Sequence, residues 1–185
     1  MMTRNRPLKF GRMAIAFGMG AAALYTLMIT ITLAYIETAS GMIAFDMRPL
    51  GYTPDEAAQL LEALGAPGRR YYLTRQIPID LAYPAMLAMT LVCTLSWLGA
   101  VGPNTKFVTA GIVVSIGAAM FDYVENFGIV AMISTWPNLP HPLVTATSTA
   151  SVLKSFLTVA AVLSLLCLGA VRAAQFQSDH KRPLP

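Results

Sequence analysis

Four long apolar runs constrain the fold of this chain more than any other feature. About 20 consecutive apolar residues in a helix cross the hydrocarbon core of a bilayer, and each run reaches that length. Every backbone hydrogen bond must be made internally in lipid, and a helix meets this requirement within one segment. We therefore predict an all-α, four-transmembrane-helix bundle with spans at about 13–36, 77–100, 107–133 and 148–171.

Composition and charge support a membrane domain and argue against two other classes of protein. Of the 185 residues, 56% are hydrophobic and 12% are charged, whereas soluble domains carry about 25% charged residues. The net charge of +4 comes mainly from basic residues at the ends of the apolar runs, so nucleic acid is not an expected partner. Residues 1–185 are predicted to form a single membrane domain.

Basic residues are divided unequally between the two ends of the spans. Cytoplasmic segments of membrane proteins carry an excess of Lys and Arg. An N-in/C-in arrangement, with both termini in the cytoplasm, leaves only Arg48, Arg69, Arg70 and Arg75 outside. It places eight basic residues inside, namely Arg4, Arg6, Lys9, Arg12, Lys106, Arg172, Lys181 and Arg182. We therefore predict this orientation.

The long segment between the first two spans, residues 37–76, is expected to form a short helical cap on the outer side. Thr53, Pro54 and Glu56 form the pattern of a capping box at a helix start. Gly65 is expected to end that helix, and Pro78 to open the second span. At the end of the chain, residues 173–185 are predicted to be a disordered basic tail.

Ionisable residues inside the spans are the candidate functional residues, because charge in a bilayer is costly unless it is satisfied. Asp122, Glu125 and Asn126 are spaced i, i+3, i+4 on the third span and therefore share one helix face. Lys154 on the fourth span is the expected counter-charge. Asp80 on the second span completes the set. Arg75 and Tyr83 are expected at the rim of the pocket that these residues would line.

The charges of this set do not balance. Three carboxyl groups against Lys154 leave a formal charge of −2, and Arg75 would reduce it to −1 if it reached Asp80. The remaining negative charge would be neutralised by a proton on one carboxyl group, by a bound cation or by a cationic ligand. The sequence does not choose among these three.

Three functional interpretations follow. The leading one is a polar pocket in the outer half of the bilayer that binds a lipid or small amphiphile. The first alternative is a structural or assembly subunit that docks onto another membrane protein. The second is a membrane enzyme that acts on a lipid, with Glu125 or Asp122 as acid or base. No spacing typical of metal ligands occurs, so neither a metal nor a cofactor is predicted.

Two stretches carry a resemblance to known proteins. Tyr72 to Leu81, followed by Tyr83-Pro84, and Phe121 to Asn126 resemble a group of uncharacterised four-helix bacterial membrane proteins. That resemblance implies a multi-pass protein of the bacterial inner (plasma) membrane, without an activity. The helix count and buried acids are also similar to the sterol-isomerase and sigma-2 receptor group, which implies an acidic intramembrane cavity for an amphipathic ligand.

Overall fold

The computed structural model describes residues 6–100 and 105–180, and all the regular secondary structure in this part of the chain is helical. A π-helical turn at Met28–Thr32 joins the first two helices, a 3₁₀ turn at Phe45–Met47 precedes the third, and a π-helical turn at Tyr72–Gln76 leads into the fourth. The α-helices are α1 (Arg6–Leu27), α2 (Leu33–Ser40), α3 (Pro54–Tyr71), α4 (Ile77–Gly99), α5 (Thr105–Thr135) and α6 (His141–His180).

Four continuous helical stretches within these residues are long and apolar enough to span a membrane. They are Leu8–Ser40, Pro54–Gly99, Lys106–Thr135 and His141–Gln175. The prediction of an all-α chain with four candidate membrane spans is therefore confirmed. Their direction across the bilayer remains a prediction.

The helices pack in the order α1, α4, α5, α6, and the α5–α6 contact is the most extensive. Small residues allow the close approach of membrane helices, and Gly128 of α5 shows this. A Cβ atom at Gly128 would lie 2.6 Å from Thr147 Cγ2 on α6. The outward faces carry large exposed apolar side chains, as contact with lipid requires, among them Ile15, Met19, Met120, Phe127 and Phe156.

The segment that links α2 to α4, residues 41–76, is called the connector below. It begins its long helix as predicted: Thr53 N–H donates to Glu56 Oε2 at 2.7 Å, and Glu56 N–H donates to Thr53 Oγ1 at 3.2 Å. The apolar side chains of the connector pack onto one end of the bundle. Those completely buried include Phe45, Ala57, Leu60, Leu61 and Tyr72.

The connector differs from the prediction at Gly65. This residue bends the chain with φ 59°, ψ −179°, a conformation that glycine tolerates, but the helix does not end there. Pro67 fits the first turn after the bend, where a helix loses no hydrogen bond to proline. The helix then continues through the π-helical turn into α4 without the expected break before Pro78.

The last helix is longer than predicted at both ends. It starts at His141 rather than near residue 148, because Pro142 occupies its first turn, where proline is tolerated. It continues through residue 180, so residues 173–180 are helical rather than disordered. The sequence has no Gly or Pro between Val171 and Pro183 to stop it. Residues 181–185 of the predicted tail lie outside the described residues.

Candidate functional site

The structure brings most of the predicted polar residues together inside the bundle. Asp122, Glu125 and Asn126 share one face of α5, with 9%, 0% and 0% of their surface exposed. Asp80 on α4 is 2% exposed and lies next to that face. Such burial of ionisable groups is costly, so their partners decide what the site is able to do.

Lys154 on α6 lies between the two acidic residues of α5. Its Nζ is 3.2 Å from Asp122 Oδ1 and forms a second ion pair with Glu125 Oε2. The Ser151 hydroxyl donates to Glu125 Oε1 at 2.5 Å. One ammonium group and one hydroxyl of α6 thus hold both carboxyl groups of α5.

Asn126 and Tyr123 tie α5 to α4. Asn126 Nδ2 donates to the backbone carbonyl of Asp80 at 3.3 Å, and the Tyr123 hydroxyl donates to the carbonyl of Leu81 at 3.0 Å. These bonds fix Asp80 beside α5 without using its carboxyl group.

Asp46 of the connector is a site residue that the sequence did not indicate. Its half-buried carboxyl group is close enough to Asp80 for their charges to interact. The Tyr72 hydroxyl donates to Asp46 Oδ2. In the sequence Asp46 counts only as an outer-loop charge, and no periodicity places a loop residue against a span. We call Asp46, Asp80, Asp122, Glu125, Asn126, Ser151 and Lys154 the polar cluster.

The two predicted rim residues behave differently. Tyr83 is half-buried, and its ring stacks on Tyr25 with 5.7 Å between centroids. Arg75 is exposed and makes no ion pair with Asp80 within the described residues. It belongs to the π-helical turn, where the rotation per residue differs from that of an α-helix. The expectation that Arg75 offsets part of the buried charge is therefore not met.

The charge imbalance is larger than the sequence indicates. Four carboxyl groups, from Asp46, Asp80, Asp122 and Glu125, share the single ammonium group that the described residues bring into the polar cluster. In addition, no described residue donates a hydrogen bond to three buried acceptors: Asp46 Oδ1, Asp80 Oδ2 and Asn126 Oδ1. Buried acceptors of this kind are rare in native proteins, and the Tyr52 hydroxyl is a buried donor that likewise has no partner among the described residues.

Aromatic side chains of the connector lie over the cluster. The rings of Tyr52 and Tyr72 pack against Phe45, with centroids 4.8 and 6.1 Å apart. Tyr52 N–H donates to Ser148 Oγ on α6 at 2.8 Å. Burial, and next the charge of Glu125, raise the pKa of Tyr52 far above its usual range, so its hydroxyl stays protonated.

The space beside Asp122 is small. A cavity of about 10 Å³ lies between α4, α5 and α6 and is lined by Leu87, Leu91, Ser115, Asp122 and Thr158, among others. This is close to the minimum that holds one water molecule. A larger ligand would enter there only if the helices or the connector moved apart.

The two π-helical turns meet beside the cluster. The Thr32 hydroxyl in the first turn donates to Gln76 Oε1 in the second at 2.5 Å, and Gln76 Nε2 contacts Met28 Sδ at 3.8 Å. Gln76 is completely buried one turn before Asp80. Such turns recur near functional sites, and the sequence did not indicate Gln76.

Metal ligands do not converge in the described part of the chain. No group of three or more His, Cys, Asp and Glu side chains there is arranged to hold a metal ion. His141 is exposed at the start of α6, away from Asp122 and Glu125.

Comparison of the chain with known protein families, with curated proteins and with solved structures finds no match. A functional proposal therefore depends on the chemistry of the polar cluster.

Proposed function

We propose that this chain is a multi-pass membrane protein whose buried polar cluster binds a lipid or another small amphiphile. The observation that supports this most is the surplus of buried negative charge and unfilled acceptors. Four carboxyl groups face one ammonium group, and three acceptor atoms receive no donor from the described residues. A ligand with a cationic or hydrogen-bond-donating head group would supply what is missing.

The walls around the cluster suit the apolar part of such a ligand. Leu87, Ala88 and Leu91 of α4 and Ala118 of α5 line the small cavity that leads to Asp122. A few convergent polar groups on an apolar wall are typical of ligand sites. We further propose that the protein resides in the bacterial plasma membrane with both termini in the cytoplasm, which places the cluster in the outer half of the bilayer.

A structural role is the second candidate, and the bonds of Lys154 favour it. Lys154 pairs with both Asp122 and Glu125, and Ser151 supplies a further donor. Polar bonds of this kind hold membrane helices together. In this alternative the protein is a subunit of a larger membrane assembly, and the polar cluster stabilises its fold.

Catalysis on a lipid is the third candidate. The hydrogen bond from Ser151 to Glu125 places a hydroxyl group beside a carboxyl group, and such a pair is able to exchange a proton. This version predicts a product and a turnover that depends on Glu125, whereas simple binding predicts neither.

Native mass spectrometry of the gently solubilised protein tests the proposal. We expect a bound small molecule on the wild type that is lost from Glu125→Gln. Asp80→Asn provides a second variant that leaves both ion pairs of Lys154 in place. Glu62→Gln is the matched control, because Glu62 is an exposed acid on the connector, and it should retain the ligand.

The other outcomes identify the alternatives. A wild type without a bound small molecule, or one that loses nothing in either cluster variant, would refute the binding proposal. A stoichiometric protein partner retained by all variants would favour the assembly role.

A further inference from the structure

We propose that a groove between α1 and α4, at the end of the bundle opposite the connector, binds an anionic phospholipid. This inference goes beyond the proposed function and does not depend on it. Along α4 the groove residue Trp97 lies about 25 Å from Asp80 of the polar cluster, at about 1.5 Å per residue. The polar cluster is acidic and the groove is basic, so the two sites would select head groups of opposite charge.

The path of the chain determines where the groove lies. The connector joins the end of α2 to the start of α4, so the start of α1 and the end of α4 meet at the other end of the bundle. There the two helices border a groove of about 390 Å³, within the range of roughly 300–1,000 Å³ that ligand sites have. Leu8 and Ile15 of α1 and Thr94 of α4 contribute to its wall.

Gly11 and Trp97 shape the groove from its two sides. A Cβ atom at Gly11 would lie 3.4 Å from Trp97 Nε1 and 3.5 Å from Trp97 Cδ1, so the indole ring lies over the bare backbone of α1. Trp97 is exposed, and none of the described residues accepts a hydrogen bond from its Nε1. An exposed indole near a helix end is typical of the membrane–water interface, where its N–H meets head groups.

The second polar side chain of the groove is Arg12. It is exposed and lines the groove, and Lys9 is exposed one turn away on α1. Neither residue forms an ion pair within the described part of the chain, where both ion pairs belong to Lys154. The groove therefore carries positive charge that the described residues leave free to attract an anion.

The neighbouring sequence strengthens this charge. No Asp or Glu occurs in residues 1–36 or 81–121, which include all of α1 and the part of α4 that borders the groove. Arg172 of α6 donates to the carbonyl of Leu98, next to Trp97, at 2.5 Å. This end of the bundle thus brings basic groups from α1 and α6 near the groove.

An anionic phospholipid matches both parts of the groove. Arg12 and Trp97 lie nearer the end of the bundle than Ile15 and Thr94, so the head group would meet the donors and an acyl chain the apolar wall. Basic groups beside membrane helices attract anionic lipids. A free phosphate ion would leave the wall unused, and a second copy docked through the same groove would bring like charges together.

Quenching of Trp97 fluorescence by brominated lipids tests this assignment. The chain has two tryptophans, so Trp136→Phe leaves Trp97 as the only one and keeps an aromatic ring beside Arg69. The full chain is reconstituted in phosphatidylcholine vesicles that contain equal fractions of brominated phosphatidylglycerol or brominated phosphatidylcholine. Because bromine quenches only at contact, the signal reports which lipid lies beside Trp97.

We expect the anionic lipid to quench Trp97 more strongly. Arg12→Gln should reduce the relative association constant of the anionic lipid about fivefold, the usual effect of one basic residue near a membrane surface. Arg12 is exposed and unpaired among the described residues, so this variant should keep its fold. Lys106→Gln is the matched control, because Lys106 is an exposed basic residue at the same end that does not line the groove.

Gly11→Leu separates the groove from its charge. Its Cβ atom meets Trp97 at an ordinary contact distance, and the rest of the leucine side chain takes up part of the groove while Arg12 stays. We expect the preference for the anionic lipid to fall although the charge is unchanged. If this variant does not fold, the comparison of Arg12→Gln with Lys106→Gln still decides.

Equal quenching by the two lipids would overturn the assignment. Equal losses in Arg12→Gln and Lys106→Gln would overturn it as well, because they would indicate diffuse attraction to the whole basic end. A dimer that Gly11→Leu abolishes would assign the groove to a second copy instead. Glu125→Gln should keep the preference, so a failure of this site and a failure of the polar cluster as a ligand site are told apart.

Discussion

At the scale of single residues, Lys154 carries the positive charge on which the polar cluster depends. It contacts Asp122 and Glu125, and 14% of its side chain is exposed. Its position followed from the sequence, because the i, i+3, i+4 spacing on α5 fixes one acidic face and α6 offers one basic residue inside its span. The location of Asp46 in the cluster could not be predicted from the sequence, because tertiary packing alone determines where a loop residue lies.

Removal of Lys154 tests this balance. Lys154→Met keeps the apolar volume and leaves two buried carboxyl groups without their counter-charge. The free energy of unfolding should fall by about 3–5 kcal/mol, the usual loss when one partner of a buried pair is removed. Denaturant unfolding in mixed micelles measures it.

The triple variant Lys154→Met/Asp122→Asn/Glu125→Gln is the control for this prediction. It removes the charges together, so it should recover most of the lost stability. A single variant as stable as the wild type would mean that Lys154 is not the group that balances the acids of α5.

At the scale of elements, the helices could be predicted from the sequence, whereas the bend and the turns that connect them could not. The four apolar runs and the capping box at Thr53 predict helices because length and local hydrogen bonding decide them. The bend at Gly65 and the two π-helical turns depend on packing between elements. Arg75 shows the consequence, since its turn places it away from Asp80.

The contact between α5 and α6 gives a prediction at this scale. Gly128→Ala adds a Cβ atom 2.6 Å from Thr147 Cγ2, which forces the two helices apart. We expect a loss of about 1–3 kcal/mol, as for other overpacked sites, measured by thermal or denaturant unfolding.

Gly169→Ala on α6 is the matched control, because a Cβ atom there meets nothing within 4 Å. It should be neutral or slightly stabilising, since alanine favours a helix over glycine by about 1 kcal/mol. Equal effects of the two substitutions would contradict the close approach at Gly128.

At the scale of the whole molecule, an apolar bundle encloses an acidic cluster in which the described residues leave buried acceptors without donors. The bundle and the acids of the spans were predictable from hydropathy and spacing. The position of the connector over them was not, because it depends on contacts between residues far apart in the sequence, such as Tyr52 with Ser148 and Tyr72 with Asp46. We therefore predict that the site selects amphiphiles by the charge of the head group.

Thermal unfolding with three amphiphiles of equal chain length tests that claim most directly. A long-chain amine, the corresponding alcohol and the corresponding carboxylate differ only in the head group. We expect the amine to raise the Tm of the wild type most, because ligand binding to the folded state stabilises it. Glu125→Gln and Asp80→Asn should lose this gain. An equal rise with all three compounds, or a gain from the amine that survives in both variants, would contradict it.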